Sequence, residues 1–291
     1  MNSFKFLLRL CCLLGLFIAN SYANTSVWKI SKNQDYFYLG GTIHVLNKAD
    51  YPLPKAFEQA YKDADTLVFE TNLDAGNQAE HQAKFMASMM FHDKRTLASE
   101  LTPNMYAKLK GFLTSRNIPI EHFAQYQPWG VSLMLTIMEY QRLGMVSEFG
   151  VDNYFNNKAR AENKPIESLE TFDEQIGFLQ SLADIDPNTN IEYTLQDIDN
   201  MPQWIVAMKQ AWRSGQVEDF TDMKPVQDMK HDFPEVYKTI IVNRNQNWLP
   251  EITNYINDKD VEFVLVGAMH LNGKEGLLNQ LTQQGFQVEH L

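Results

Sequence analysis

Two stretches more than two hundred residues apart carry the same arrangement of chemically capable residues. Gly41-Thr42-Ile43-His44 follows the apolar run YFYL, and Gly267-Ala268-Met269-His270 follows FVLV. After each histidine come one or two apolar residues and then an asparagine, Asn47 or Asn272. A third apolar run, TLVFE, ends in Glu70. Two imidazoles and a carboxylate suit a divalent ion that keeps open positions for water and substrate. Such an ion can lower the pKa of a bound water and polarise a carbonyl. His44, Glu70 and His270 are therefore the candidate metal ligands. Glu70 could equally serve as general base, and the sequence leaves the two roles open.

Further polar residues are weaker candidates. Arg244 and Asn245 lie in VNRNQNW, inside an otherwise apolar helical pattern. Arg244 could pair with a site carboxylate or bind a carboxylate of the substrate, and a surface position is the alternative. Glu148, Asp152 and Glu170 are candidates for an inner polar network, with solvated helix faces as the alternative. His81, His92, His122, His231 and His290 are expected to be surface or packing residues. The sequence has no His-Glu-x-x-His pair and no Gly-x-Ser-x-Gly elbow.

Three apolar runs that each deliver a functional residue imply strands ending at one sheet edge. In open α/β sheets the functional crevice lies beyond the carboxyl ends of the strands. Glycine lets the backbone turn sharply there, so that a histidine three residues on can project back over the edge. SVWKI and DYFYLGG read as a hairpin across SKNQD. PKAFEQAYKDA reads as a helix with Ala56, Phe57, Ala60 and Tyr61 on one face. The order strand, helix, strand up to TLVFET then suggests a crossover and a parallel pair. From about residue 74 to 258 the pattern is mainly helical. It includes a helix capped by Thr102 with Pro103 at its first position, and two helices meeting near Pro250. DVEFVLVGAMH returns to a strand, followed by a helix stopping before Gly285 and a short final strand. The expected fold class is α/β, with a mixed sheet built from both chain ends and a large helical insertion. Residues 24–291 are expected to form a single domain.

Composition narrows the function. Of the 291 residues, 44% are hydrophobic and 21% charged, as in an ordinary globular protein. Residues 1–23 differ: Lys5 and Arg9, an apolar run from Leu10 to Ile18, then Ser21 and Ala23 flanking Tyr22. This is the layout of a secretory signal peptide cut after Ala23. Arg9 and Leu10 before Cys11 argue against a lipid anchor. Both cysteines, Cys11 and Cys12, lie in this segment. Thiol catalysis, thiolate metal sites and disulfides are thereby excluded from the mature chain. Removing Lys5 and Arg9 takes the basic count from 25 to 23 against 36 acidic residues, a net charge of −13 with histidine neutral. That balance argues against nucleic acid as a partner. A periplasmic or secreted protein without a stable membrane anchor is expected.

Taken in order, GGTIH with YPLP after it, LVFET, GVDNYFNNKARAENKPIESLET, NRNQNW and LVGAMHLNGKEGLLNQLTQQGFQV resemble the motifs of the TraB–PrgY–GumN family, to which the animal TIKI metalloproteases are related. The resemblance runs over nearly the whole mature chain. It implies a metal site at His44, Glu70 and His270, and it places Arg244 in the family's Arg-Asn motif. It also implies a divalent cofactor, with manganese, cobalt and zinc as the candidates, and peptide cleavage. The expected activity is thus a metal-dependent hydrolase acting on a peptide or small molecule, in the first instance a peptidase. The alternative is a non-catalytic protein that captures a peptide or small ligand in an apolar groove of the helical part. Cleavage of another bond, such as an ester, is a further possibility within the enzyme class.

Overall fold

The structure, a computed structural model, describes residues 25–72, 78–216, 218–257 and 259–291. The segment read as an export signal, residues 1–23, lies outside the described residues.

Strands β1 (Val27–Lys32) and β2 (Asp35–Thr42) form the expected antiparallel hairpin, with Lys32 opposite Asp35. Asn33 makes the turn in the left-handed region at φ 59°, where its short polar side chain is tolerated. Helix α1 (Lys55–Asp63) buries Ala56, Phe57, Ala60 and Tyr61, the face its sequence pattern predicts. Strand β3 (Thr66–Thr71) follows, with all six residues buried.

The remaining elements are mostly helical up to the last strands. Apart from short helical turns, they are α2 (Gln78–Ser88), α3 (Pro103–Ser115), α4 (Pro128–Arg142), α5 (Val151–Glu162), β4 (Ile166–Glu170), α6 (Phe172–Gln180), α7 (Pro187–Ser214), α8 (Lys224–Asp232), α9 (Arg244–Asn254), β5 (Glu262–Gly267), α10 (Leu277–Gln283) and β6 (Gln287–His290). Thr102 caps α3 by accepting from the Met105 N–H, with Pro103 at the first helical position. The long helix α7 packs along α4. Among the described residues, no helix is long and apolar enough to cross a membrane.

The six strands form one mixed sheet in the order β4-β3-β5-β2-β1-β6. The four on the β4 side are mutually parallel, and β1 and β6 add an antiparallel edge. The fold is therefore α/β, with five strands of the sheet from the two ends of the chain, one from its middle, and a large helical part. Every residue of β3 and β5 is buried, which is why both read as unbroken apolar runs rather than alternating ones.

Three sequence expectations change. The crossover from β2 through α1 to β3 does yield parallel strands, but they are not neighbours, because β5 inserts between them and pairs with both. The mainly helical stretch contains a strand, β4, with only Glu170 of its five residues buried. Edge position and partial exposure leave β4 without the apolar run that marks a buried strand. Finally, the helices near the end of this stretch do not meet at Pro250. They join through a π-helical segment, Lys238–Asn243, and Pro250 sits within α9.

Candidate functional site

Parallel strands bring their carboxyl ends to one edge, and here that edge collects the chemistry. Thr42 of β2 is in register with Gly267 of β5, so the two Gly-x-x-His turns leave neighbouring strands side by side. Gly41 permits close packing: a Cβ there would lie 2.8 Å from Leu271 and 3.3 Å from Ala268 of the second turn. The carbonyl of Gly41 also accepts from Trp212 Nε1 at 2.7 Å, which ties the first turn to the end of α7. On the far side of β5, β3 delivers Glu70, and beyond it β4 ends in Glu170.

The fourth participant comes from α9. Arg244 follows directly on the π-helical segment, a local widening common at functional sites. Its guanidinium is buried among Glu70, Glu170 and His270. Nη2 donates to Glu70 Oε2 and to Glu170 Oε1, each at 2.6 Å, and Nε donates to Glu170 Oε2 at 3.0 Å. Nη1 lies 3.1 Å from His270 Nε2. The Trp248 ring stacks against the guanidinium at 4.6 Å, and the Trp248 indole N–H donates to Glu170 Oε2. Arg244 thus pairs with site carboxylates, the first of the two roles its sequence position suggested.

The two histidines are held differently. Asn245, fully buried, donates through Nδ2 to the carbonyls of His270 and Glu275. Its Oδ1 therefore accepts, and His270 Nδ1, at 2.7 Å, carries the ring proton. This leaves the lone pair on His270 Nε2, facing Arg244. Burial pushes the His270 pKa down to about 3, with Arg244 adding to the effect and Glu70 opposing it, so the ring is neutral at physiological pH. His44 is instead 63% exposed at the mouth of the site. Its Nδ1 donates to Asp152 Oδ2 at 2.8 Å, and the Asp152 carboxylate holds its pKa above the ordinary histidine range, in a ring that water also reaches.

Glu70 is the hinge of the cluster. Its Oε1 accepts from the Gly267 N–H at 2.6 Å and lies 3.8 Å from His270 Nε2. Burial opposes ionisation, but Arg244, the neighbouring histidines and the Gly267 N–H outweigh it and bring the pKa to about 2. Glu170 shifts the other way, because burial outweighs the help it receives from Arg244. The three candidate ligands border one small space. A Cβ placed on Gly267 would lie 3.2 Å from Glu70 Oε1, 3.5 Å from His44 Nε2 and 3.7 Å from His270 Cδ2.

The fit to a divalent ion is good in chemistry and incomplete in arrangement. Both rings have Nδ1 engaged by an outer group, which directs Nε2 inward, the usual support for metal-bound histidine. Glu70 is ionised and offers Oε1 to the same space. Among the described residues, however, no three His, Cys, Asp or Glu side chains stand ready as a ligand group. Arg244 Nη1 faces the His270 Nε2 lone pair, so ligation by His270 requires that contact to give way.

The structure therefore brings His44, Glu70, Arg244 and His270 together. It adds Asp152 and Glu170 from the weaker candidates, whereas Glu148 is exposed on the turn Ser147–Phe149 and makes none of these hydrogen bonds. The other histidines serve packing or surface roles. His290 stacks on Trp28, His81 stacks on Phe172, and His231 pairs with Asp232. Sequence reasoning missed Thr42, which donates to Asp152, and gave no role to Asn245 or Trp248. The first of these was visible only as the residue between glycine and histidine in GGTIH.

The chain is similar to known proteins over most of its length. The chain is 24% identical over 249 residues to the uncharacterized protein YbaP of Escherichia coli (strain K12), covering 84% of this chain and 87% of that one. It is 24% identical over 247 residues to YbaP of Shigella flexneri, covering 84% and 86%. Residues 26–290 match the TraB/PrgY/gumN family model, and the chain belongs to that family.

Proposed function

We propose that the protein is an exported, metal-dependent hydrolase that cleaves peptides. One observation carries the reading. Two histidines with fixed rings and an ionised glutamate face one space at the carboxyl edge of a parallel sheet. Charge supports it as well. With His44 neutral, three carboxylates surround the single guanidinium of Arg244, an acidic excess that a divalent cation would offset. The basic, apolar and small-residue succession of residues 1–23 supports export to the periplasm or beyond.

His44, Glu70 and His270 would hold the ion. Bound there, it supplies a water acidified towards neutral pH and a Lewis acid for a carbonyl. The chain's own groups do the rest. Glu70 keeps one oxygen fixed by the Gly267 N–H and the other by Arg244, so its carboxylate is held anionic and in place, as a ligand must be. Arg244, anchored by Glu170, fixes Glu70 and keeps positive charge beside it. His44 is the exposed member and meets the substrate first.

The test is hydrolysis of a peptide library by the mature protein with Mn²⁺, Co²⁺ or Zn²⁺. Cleavage should disappear in the His44→Ala/His270→Ala double variant. An active double variant refutes the site. Cleavage that persists in chelator refutes the metal and leaves the chemistry to His44, Glu70 and Arg244.

A further inference from the structure

The first histidine turn is gripped by a segment that contributes none of the proposed metal ligands. Helix α5 begins against it. The Val151 N–H donates to the Ile43 carbonyl at 3.1 Å. Gly150 passes so close that a Cβ would lie 2.2 Å from the His44 carbonyl oxygen, which leaves room only for glycine. This docking puts Asp152, in the first turn of α5, directly over the turn. An acid at that position ordinarily turns to the free N–H groups of its own helix. Here both oxygens are spent elsewhere. Oδ1 accepts from Thr42 Oγ1 and Oδ2 from His44 Nδ1, each at 2.8 Å. Thr42 is buried and fixed in the sheet opposite Gly267, so the carboxylate is located by the strand and the ring by the carboxylate.

We propose that Asp152 is the positioning residue of His44: it fixes the ring so that Nε2 faces Glu70, and it makes the two histidines unequal. His270, deep in the cluster, has a neutral amide on Nδ1. The exposed His44 has an anionic one. A carboxylate partner raises the basicity of the opposite nitrogen, so His44 becomes the stronger donor of the pair. The structural reason for the inequality is local. The His44 ring is solvated, so an ordered ring needs a side-chain tether such as the one Asp152 supplies.

The consequence for metal binding rests on the hydrolase reading, while the orientation of the ring does not, and two measurements keep them apart. The first is Co²⁺ titration followed by its visible spectrum in the wild type, Asp152→Asn, Asp152→Ala and His44→Ala. Loss of a group that orients a ligand typically lowers metal affinity about 10–100-fold. Asp152→Ala should fall in that range with an altered spectrum. Asp152→Asn, whose amide oxygen can still accept from Nδ1, should lose less. The second measurement is the tautomer of His44 by NMR in metal-free, histidine-labelled protein, on the alkaline side of the ring's titration, with the signal assigned by its loss in His44→Gln. Wild type and Asp152→Asn should hold the proton on Nδ1, and Asp152→Ala should shift it toward Nε2. Should Asp152→Ala fail to fold, Thr42→Val removes the second tether, and a wild-type Co²⁺ affinity and a wild-type tautomer in that variant count against the proposal. Asp152→Ala binding Co²⁺ within about twofold of wild type while His44→Ala loses it, or keeping the Nδ1–H tautomer, overturns it. If no protein binds Co²⁺, the metal reading fails and the tautomer alone decides on Asp152.

Discussion

Removing the guanidinium of Arg244 should be among the most costly single changes in this fold, and its cost should depend on pH. The side chains of Arg244, Glu70 and Glu170 are 8%, 7% and 4% exposed, so an Arg244→Ala variant would leave two carboxylates buried without a cation. Breaking one buried pair by removing a partner typically costs about 3–5 kcal/mol. Two stranded acids share one cavity, so a loss at or above the top of that range is expected at neutral pH, with some of it relieved by entering water. Domains of ordinary stability have only about 5–15 kcal/mol in total. The urea midpoint should therefore fall by a third or more.

The sign of the pH effect follows from the two carboxyls. In the wild type, Glu70 has a folded pKa of about 2, below its unfolded value, so its contribution is complete above the unfolded pKa and is lost as pH falls through about 2. In the variant, both acids lose their cation and their pKa values rise above the unfolded value. Protonation then favours the folded state, and the deficit shrinks as pH falls from 7 toward the unfolded pKa. Adding Glu170→Gln to the variant should recover part of the loss at neutral pH by removing one of the stranded charges. Equilibrium urea unfolding at two pH values, followed by tryptophan fluorescence and circular dichroism, measures all of this. An Arg244→Ala variant within about 1 kcal/mol of wild type at neutral pH, or with a deficit independent of pH, would refute a buried ion network at this edge.

Gly267→Ala should separate chemistry from folding. Its backbone, at φ −53° and ψ 134°, suits alanine, but the new methyl would enter the space bordered by Glu70, His44 and His270, so activity should fall at least about tenfold while the urea midpoint barely moves. Co²⁺ affinity should rise roughly tenfold per pH unit between about pH 5 and about pH 8, because one proton, on His44, must leave, whereas His270, with a pKa of about 3, has none to lose; a slope of two or of zero in the titrations contradicts the assignment of these protonation states. Asn245→Ala should cost about 2–4 kcal/mol in urea unfolding, because it removes three hydrogen bonds and strands the His270 Nδ1–H and the His270 carbonyl, while the Glu275 carbonyl keeps the Gln280 side chain. Gly150→Ala should cost about 1–3 kcal/mol by the same assay, since the methyl collides with the His44 carbonyl and the helix must back away.

The residues that turn and cap the chain could be read from the sequence, because the forces that act on them are local. Glycine before each histidine, the asparagine turn between β1 and β2, the Thr102 cap and the apolar face of α1 depend on neighbours within a few positions. The three apolar runs ending in His44, Glu70 and His270 were legible for the same reason, since a strand buried on both faces must be apolar throughout. What those runs do not encode is their order. Only the folded sheet puts β5 between β2 and β3, and that insertion makes the two histidine turns neighbours and sets Glu70 beside the second. Strand order rests on the sum of many weak contacts between distant segments, which no short stretch of sequence carries. For the same reason β4 was hidden in a helical stretch, and with it the fate of Glu170. The ion network is the clearest case. Arg244, Asp152 and Asn245 are ordinary polar residues on helices until tertiary packing buries them against partners 25 to 174 positions away. Burial and those partners, neither visible in the chain, set which histidine stays neutral and which is drawn toward its charged form.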